Sequence, residues 1–311
     1  MKILVTGGAG FIASHVSDSM LALGHDVVIV DNLSSGKREN LPAAAAFREV
    51  DIRDERLSDV FRAEKPEVVV HHAAHIDVTR SVREPGYDAS VNILGSLNLL
   101  ECCRESGVRK VIYAGTGGAL FGEPSYLPVD EAHPIDPISP YGVSKHTVEH
   151  YLFAYKANHG LDYIVLRYPN VYGPRQDPHG EAGVVAIFAL QLLGGQQPVI
   201  FGDGTKTRDY CYVGDIAAAN VLALNSPVNG VYNLGRGIEV SDLEVFEAVR
   251  SATGSETAPR FAPVRPGEVQ NIALDAAKAK RELGWTWKVD FVDGVAKAVE
   301  FYRDQIKREL S

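Results

Sequence analysis

Residues Met1–Ala13 read MKILVTGGAGFIA, a short apolar run followed at once by closely spaced glycines. The apolar part is typical of a buried β-strand, and a helical pattern of apolar residues follows it as far as Gly24. Strand, glycine turn and helix in this order are the setting that a dinucleotide-binding fingerprint requires. We therefore predict that this segment binds a dinucleotide.

The small residues of the turn each suit such a site. Gly7 and Gly10 let the backbone turn tightly and approach a pyrophosphate, and Ala13 lets the helix pack closely on the strand. The helix that begins near Phe11 and Ile12 offers unpaired N–H groups and a positive dipole end to the phosphates. Gly7, Gly10, Phe11 and Ile12 are therefore predicted to contact the cofactor.

The next apolar run, Asp26–Val30, leads into Asp31, about twenty residues after the glycine turn. An acid at this place hydrogen-bonds a ribose 2′-hydroxyl, which favours NAD over NADP. Lys37 and Arg38 lie nearby in the sequence, so a contact with a 2′-phosphate stays open.

The composition restricts the class of protein. A chain of 311 residues can bury a large core and form one large or two smaller domains. Its apolar content of 45% and charged content of 23% are ordinary for a soluble globular protein. The net charge of −9 argues against nucleic-acid binding.

Cysteine usage and hydropathy bear on the compartment. Cys102 and Cys103 are adjacent and Cys211 is isolated, so no disulfide framework is suggested. No apolar run approaches the ~20 residues of a membrane span, and the sequence enters a strand without a signal peptide. These features predict a cytoplasmic protein with no membrane partner.

Strand and helix patterns alternate through the first half of the chain. The further predicted strands are residues 46–50, 67–71, 110–114 and 163–167, and the predicted helices are 57–63, 88–106 and 146–158. Such alternation predicts an α/β fold with a doubly wound parallel sheet of the Rossmann type. Dense glycine and proline after Arg167 predict a smaller mixed α/β C-terminal substrate domain. We place the NAD-binding domain at 1–168 and the substrate domain at 169–311, with some segments returning to the first.

Tyr141 and Lys145 lie four residues apart, so they share one face of a helix. A phenol with a pKa near ~10 is a poor base at neutral pH, and a neighbouring cation lowers its pKa toward the working range. Such a pair alone also occurs on surface helices with a half-buried tyrosine. Beside the dinucleotide fingerprint, it predicts a catalytic base.

Several further motifs follow one another along nearly the whole chain. They are Asp31-Asn32-Leu33, His72-Ala73-Ala74, Asn92 within Val91–Gly95, Thr116 in its glycine-rich loop, Leu166–Arg175, Gly202-Asp203-Gly204, Arg208-Asp209-Tyr210 and Arg265–Glu268. Together with the glycine turn and the Tyr–Lys pair, they resemble the extended short-chain dehydrogenase/reductase family, and within it the UDP-glucose 4-epimerases.

The resemblance implies roles for particular residues. Tyr141 would be the base, Lys145 would bind the nicotinamide ribose and lower the tyrosine pKa, and Thr116 would hydrogen-bond the reacting sugar hydroxyl. The implied cofactor is NAD. Its implied site comprises Gly7, Gly10, Phe11, Ile12, Asp31, Asn32, Asp51, Ile52, Ala73, Ala74, Asn92, Tyr141, Lys145 and Tyr168.

The implied substrate is a UDP-sugar. Asn170, Arg208 and Arg265 would hold it, with the arginines on its diphosphate. Phe201 would stack on the uracil, and Ile272 would bound the substituent at C2 of the sugar. Enzymes restricted to unsubstituted hexoses tend to have a bulky aromatic residue there, so the smaller Ile272 predicts that an N-acetyl group fits.

Structural interpretations compete with these roles. Thr116 could end a strand without a chemical role, and Arg208 could form an ion pair within its loop. His71, His72 and His75 are close in sequence, but no carboxylate or cysteine pair accompanies them at ligand spacing. We therefore predict no metal site.

The residues after Thr116 separate the reactions open to a nicotinamide and a tyrosine base. Nucleotide-sugar 4,6-dehydratases carry an Asp-Glu pair there and UDP-glucuronate decarboxylases tend to carry an acid, whereas this chain has Gly117 and Gly118. We therefore predict an epimerase that inverts C4 of a UDP-hexose, UDP-glucose or UDP-galactose, through a 4-keto intermediate. A UDP-glucuronate or UDP-N-acetylhexosamine 4-epimerase, and a non-catalytic NAD-binding redox sensor, stay open as alternatives.

We also predict a homodimer. The helical segments 88–106 and 143–158 lie on one side of the predicted sheet, and related enzymes pair these two helices into a four-helix bundle. The candidate contacts are Leu97, Leu100, Val148 and Leu152. The alternative is that all four face the sheet of their own chain.

Overall fold

The computed structural model describes residues 1–178, 183–264 and 269–309, so the predicted contact at Arg265 lies outside the described residues. The strands are β1 (Lys2–Thr6), β2 (Asp26–Asp31), β3 (Ala46–Glu49), β4 (Val68–His71), β5 (Lys110–Thr116), β6 (Asp162–Tyr168), β7 (Asn170–Tyr172), β8 (Val199–Phe201), β9 (Thr207–Arg208), β10 (Tyr210–Tyr212), β11 (Gly230–Asn233), β12 (Val240–Ser241) and β13 (Arg260–Ala262). The α-helices are α1 (Phe11–Ala22), α2 (Leu57–Glu64), α3 (Val78–Arg83), α4 (Pro85–Ala89), α5 (Gly95–Ser106), α6 (Pro140–His159), α7 (Val184–Leu193), α8 (Val213–Asn225), α9 (Asp242–Thr253), α10 (Ala277–Leu283) and α11 (Phe291–Glu309). A 3₁₀ turn spans Arg38–Asn40, and a π-helical turn, Ser90–Leu94, joins α4 to α5.

Seven of the described strands form one parallel sheet in the order β11-β6-β5-β4-β1-β2-β3. This confirms the predicted Rossmann-type sheet. Its edge strand β11 comes from residues after 169, so the chain returns to the sheet from its second half. The division at residue 168 stays a prediction. The other described strands pair in twos, β7 with β10 and β8 with β13 in parallel and β9 with β12 antiparallel.

The strands of the sheet read as continuous apolar runs because helices cover both of its faces. On one face α1 and α8 pack against the sheet, with Val16 and Met20 of α1 fully buried. On the other face α2, α5 and α6 bury Phe61, Leu99 and Val148. A separate apolar core joins α7, α9 and α11 in the second half of the chain.

The long helix predicted at 88–106 is interrupted in the structure. Helical backbone begins earlier, because Pro85 occupies the first turn of α4, where its missing N–H is not needed. The π-helical turn then precedes Gly95, which must lack a side chain because an added Cβ would lie 2.7 Å from Cδ1 of Ile52. The described residues hold no helix that is both long and apolar enough to cross a bilayer.

We predicted four side chains as dimer contacts, and for three of them the prediction is wrong. Leu100, Val148 and Leu152 are each 1% exposed and pack into the core of their own sheet. Leu97 is half-buried. The regularly spaced apolar residues of α5 and α6 therefore belong to the core of their own protomer.

Candidate active site

The glycine turn lies at the carboxyl end of β1, against the end of β4. Gly7 has a φ of +69°, and an added Cβ would lie 2.7 Å from the backbone nitrogen of Ala73, so only glycine fits. Gly10 precedes α1, whose N-terminus has no side-chain cap and no acid in its first turn. The N–H groups at Phe11 and Ile12 thus suit an anion, and this cradle fits a pyrophosphate.

Asp31 ends β2 beside this turn. One of its carboxylate oxygens accepts the N–H of Ala9 at 3.0 Å and the other accepts that of Leu33 at 2.8 Å. Burial raises the pKa of Asp31, and the two bonds oppose this. The carboxylate therefore fixes the glycine turn and also lies where a ribose hydroxyl is expected.

Asp51 and Asn32 are brought together by β2 and β3. The Nδ2 group of Asn32 donates to Asp51 at 2.8 Å, and Arg53 donates to both oxygens of the same carboxylate at 2.9 and 2.8 Å. The Arg53 guanidinium holds the pKa of Asp51 at about 2. Ile52, between them in sequence, is buried against the start of α5.

The side chains of Thr116 and Tyr141, the predicted catalytic residues, are close enough for the threonine to lower the pKa of the tyrosine. Thr116 is the last residue of β5, directly beside Tyr168 of β6 in the sheet register. Tyr141 stands in the first turn of α6, which Ser139 caps by accepting the N–H of Gly142. The backbone N–H of Tyr141 donates to Oγ of buried Ser81 at 3.2 Å. The end of β5 and the start of α6 are therefore close together.

The predicted effect of Lys145 on the tyrosine pKa stays a prediction, because burial is the largest influence on the pKa of Tyr141. Burial raises the pKa of Tyr141 to about 12, and Thr116 opposes this only in part. Burial lowers the pKa of Lys145 to about 7, against the attraction of Glu149 and Asp88. Enclosure disfavours the charged form of each group.

Lys145 lies over an aromatic ring and near two acids, Asp88 and Glu149. Its Nζ lies 4.3 Å from the ring centroid of Tyr113, a cation–π distance. Glu149, one turn further along α6, is 5% exposed and accepts bonds of 2.9 and 2.6 Å from Arg167. The carboxylate is thereby kept beside Lys145.

A buried cluster around Asp88 was not among the predicted features. Asp88 and Asn92 are each 1% exposed, and Nδ2 of Asn92 donates to Asp88 and to Oγ of Ser144 at 3.0 Å each. Asn92 also accepts the N–H of His75 at 2.8 Å and donates to its carbonyl at 3.0 Å. These two bonds to the backbone of His75 fix the loop that follows Ala73 and Ala74. The only sequence signal was the spacing of Asp88 and Asn92, four apart in a helical segment.

Tyr168 belongs to a second buried network. Its hydroxyl lies 3.0 Å from Nε2 of His72 and accepts a bond of 2.9 Å from Asn220 on α8. The side chain of Tyr168, a predicted cofactor contact, is therefore held by His72, which directly follows β4, and by Asn220 of α8. His72 and Asn220 were not singled out for this role, and no local pattern marks them.

The predicted substrate residues lie on the loops of the second half. The backbone N–H of Asn170 donates to the carbonyl of Asp209, and its Oδ1 faces the loop at Gly118. Arg208 donates to the carbonyl oxygens of Thr207 and Gln270 at 2.7 and 3.2 Å.

Two predicted substrate contacts are apolar. Phe201 ends β8 opposite Ala262 of β13 and is half-buried. Ile272 is 3% exposed and packs with Phe121 in a small apolar cluster next to the strand-end loop.

The sequence profile of the NAD dependent epimerase/dehydratase family matches residues 3–235. The chain belongs to this family. It is 45% identical over 312 residues to a UDP-glucose 4-epimerase of Mycolicibacterium smegmatis, an alignment that covers 98% of this chain and 99% of that one.

Two solved structures of epimerases are close to this chain throughout. The UDP-glucose 4-epimerase of Thermotoga maritima with UDP-glucose superposes with a TM-score of 0.97 at 48% identity, over 98% of this chain and 100% of that one. The Thermus thermophilus UDP-glucose 4-epimerase with NAD superposes with a TM-score of 0.93 at 47% identity, over 97% and 99%. The predicted resemblance to UDP-glucose 4-epimerases is confirmed.

The NAD dependent epimerase/dehydratase family includes two chemistries, and the loop after Thr116 bears on the choice. An added Cβ on Gly117 would lie 2.2 Å from Cδ1 of Leu274, which is fully buried. An acidic side chain therefore does not fit at residue 117 without displacing the core. At Gly118 the nearest atom to an added Cβ is Oδ1 of Asn170, at 3.7 Å.

Proposed function

We propose that this protein is an NAD-dependent UDP-hexose 4-epimerase that inverts C4 through a transient 4-keto sugar. The observation that carries the proposal is the close approach of the Thr116 and Tyr141 side chains beside buried Lys145. This set lies at the sheet edge where the glycine turn offers its cradle. The close similarity to UDP-glucose 4-epimerases over the whole chain supports the same conclusion.

The residues of the glycine turn suit NAD, the cofactor that the family name states. Gly7, Gly10 and the uncapped start of α1 would hold its pyrophosphate, and Asp31 its adenosine ribose. When bound, NAD accepts a hydride from the sugar and returns it.

Proton transfer would be the task of the protein. Tyr141 would take the proton of the sugar O4 and later give it back, while Thr116 orients the same hydroxyl. A phenolate in this enclosed place is costly, because burial raises the pKa of Tyr141 to about 12. A cationic Lys145 close to the phenol lowers this cost, so Lys145 must hold its proton during turnover.

The test is to incubate the purified protein with UDP-glucose, UDP-galactose, their N-acetyl counterparts and UDP-glucuronate, and to follow the C4 epimers. We expect conversion of the unsubstituted hexoses. Tyr141→Phe should fold and keep NAD but lose on the order of 10²–10⁴ in rate. Tyr126→Phe, at an exposed tyrosine, is the matched control and should match the wild type.

Three outcomes would contradict the proposal. Wild-type turnover by Tyr141→Phe would exclude that residue as the base. Binding of NAD without conversion of any sugar in the panel would favour the redox-sensor alternative. Turnover of UDP-glucuronate alone would move the substrate to the uronate.

We further propose a homodimer through a corrected surface. Leu94, Val143 and Tyr151 are 61%, 48% and 37% exposed; Leu94 ends the π-helical turn before α5, and the other two lie on α6. Isolated apolar side chains on a surface are normal, but a cluster on neighbouring helices suits a protein interface. Val143→Asp should weaken the dimer in light scattering, and Val292→Asp, exposed on α11, should not. A monomeric wild type at micromolar concentration would exclude this surface.

The cytoplasm is the compartment that we propose, because the three cysteines are unpaired and buried. Burial raises the pKa of Cys102 to about 11, which keeps this thiol unreactive. Unchanged activity under thiol reductant is the expected result.

A further inference from the structure

Two histidines on α6, His146 and His150, have adjacent side chains, and His146 directly follows Lys145. The Nε2 atoms of His146 and His150 are 3.1 Å apart, and their ring centroids are 4.5 Å apart. The two residues are one helical turn apart, so the helix itself brings the rings together. His150 is exposed and His146 is partly exposed, so both nitrogens can be reached from solvent.

A carboxylate orients the ring of His146 through Nδ1, the ring nitrogen that does not face His150. Its Nδ1 lies 3.0 Å from Oε2 of Glu149, and Glu149 is held in turn by Arg167. A carboxylate that accepts the Nδ1 proton leaves the lone pair on Nε2, which is the arrangement found behind metal-bound histidines. The His146 nitrogen that faces His150 is therefore prepared as a ligand.

We propose that His146 and His150 form a chelating site for a divalent late transition metal, Ni²⁺ or Cu²⁺. With metal–nitrogen bonds of ~2.1 Å, a nitrogen separation of 3.1 Å corresponds to a ligand angle of about 95°. This angle suits neighbouring ligands of square-planar or octahedral metals better than a tetrahedral zinc. Water would complete the coordination, since the described residues contain no group of three or more His, Cys, Asp or Glu ligands.

Among the described histidines, His71 shows why a buried ring is not available to a metal. Both ring nitrogens of buried His71 are taken, by Oγ1 of Thr6 at 2.8 Å and Oγ of Ser96 at 2.9 Å. The pair on α6 also lies away from α5, because Tyr155 on the opposite flank of α6 bonds to Glu101 of α5. His146 and His150 follow Val143 of the proposed dimer surface by three and seven residues, so the two proposed sites adjoin on α6.

The test uses the full chain with its bound NAD, without a polyhistidine tag and after treatment with a chelator. Titration with Ni²⁺ in a calorimeter should give one ion per chain. His150→Ala should weaken binding at least tenfold. His159→Ala, at an exposed histidine on the same helix, is the matched control and should bind as the wild type does. Affinity should fall from pH 7.5 to 5.5, because protons compete for the imidazoles.

A second readout is the thermal unfolding midpoint. Added Ni²⁺ should raise it in the wild type and in His159→Ala, since a ligand of the folded state stabilises that state, but not in His150→Ala. Equal Ni²⁺ affinity in His150→Ala and the wild type would overturn the proposal. Absence of binding by the wild type at millimolar Ni²⁺ would overturn it as well.

Discussion

Tyr141 and Lys145 share one face of α6, yet burial moves their pKa values in opposite directions, to about 12 and about 7. Each shift favours the neutral form, because a low-dielectric surrounding penalises any charge. Glu149 and Asp88 oppose the shift of the lysine. Two buried carboxylates are thus part of what keeps the cation available for catalysis.

Lys145 makes the stability of the protein depend on pH. Its pKa is about 7 in the folded protein against an ordinary value of 10.5 for a solvated lysine, so the unfolded chain binds more protons between these limits. The free energy of unfolding should therefore rise with pH in this window, by at most ~1.4 kcal/mol per pH unit from this group. Lys145→Met should flatten the rise between pH 7 and about 9, measured by urea unfolding of nucleotide-free protein.

Lys156→Met is the matched control for this experiment. Lys156 lies on the same helix and is paired with Asp162, with 40% of its side chain exposed. This variant should keep the wild-type slope. An unchanged slope in Lys145→Met would mean that the lysine is not the titrating group.

At the scale of the elements, the loop after β5 is limited by core packing. An alanine at residue 117 would press on Leu274, whereas one at residue 118 would meet open space as far as Asn170. Gly117→Ala should therefore lower the free energy of unfolding by ~1–3 kcal/mol, the usual cost of overpacking. Gly118→Ala should leave it within about 0.5 kcal/mol of the wild type. Equal values for the two variants in urea unfolding would contradict the packing argument.

The helical segment from Pro85 to Ser106 illustrates what periodicity does not reveal. Its apolar spacing predicts one regular helix, and the structure places a π-helical turn at Ser90–Leu94. Within this turn Asn92 bonds to Asp88, to Ser144 and to both backbone groups of His75. His75 and Ser144 are 17 and 52 residues away from Asn92, so the apolar periodicity could not have indicated the interruption.

At the scale of the whole molecule, Asp209 joins separate segments between the sheet and the substrate loops. Its carboxylate is 1% exposed and accepts the N–H groups of Arg236, Gly237 and Leu274 at 3.0 to 3.1 Å. Asp209→Ala leaves these donors buried without an acceptor. Since one such group costs ~1–3 kcal/mol, the loss should be at least about 3 kcal/mol.

Asp203→Ala is the control for Asp209, because Asp203 accepts bonds only from neighbouring Thr205 among the bonds described, in an exposed turn. Its effect should stay near 0.5 kcal/mol. The measurement is urea unfolding of both variants. A loss of less than about 1 kcal/mol in Asp209→Ala would show that the segments are held by other contacts.

Local sequence was enough for the nucleotide-binding half of the chain. The strand, the glycine turn and the helix from Lys2 to Ala22 form one short segment, in which Gly7 is required by the backbone itself. The alternation of strands and helices then led to the parallel sheet, because a buried strand is apolar throughout. The pairing of Tyr141 with Lys145 follows likewise from helix geometry alone.

Only the tertiary structure determined the side-chain orientations and pKa shifts that depend on burial. It turned Leu100 and Val148 inward, raised the pKa of Tyr141 where its neighbour was expected to lower it, and placed Ile272 in an apolar cluster. It also placed Asp88 beside His75 and Asn92. Burial and charge interactions are sums over everything packed around a group, and those surroundings come from residues far apart in the sequence.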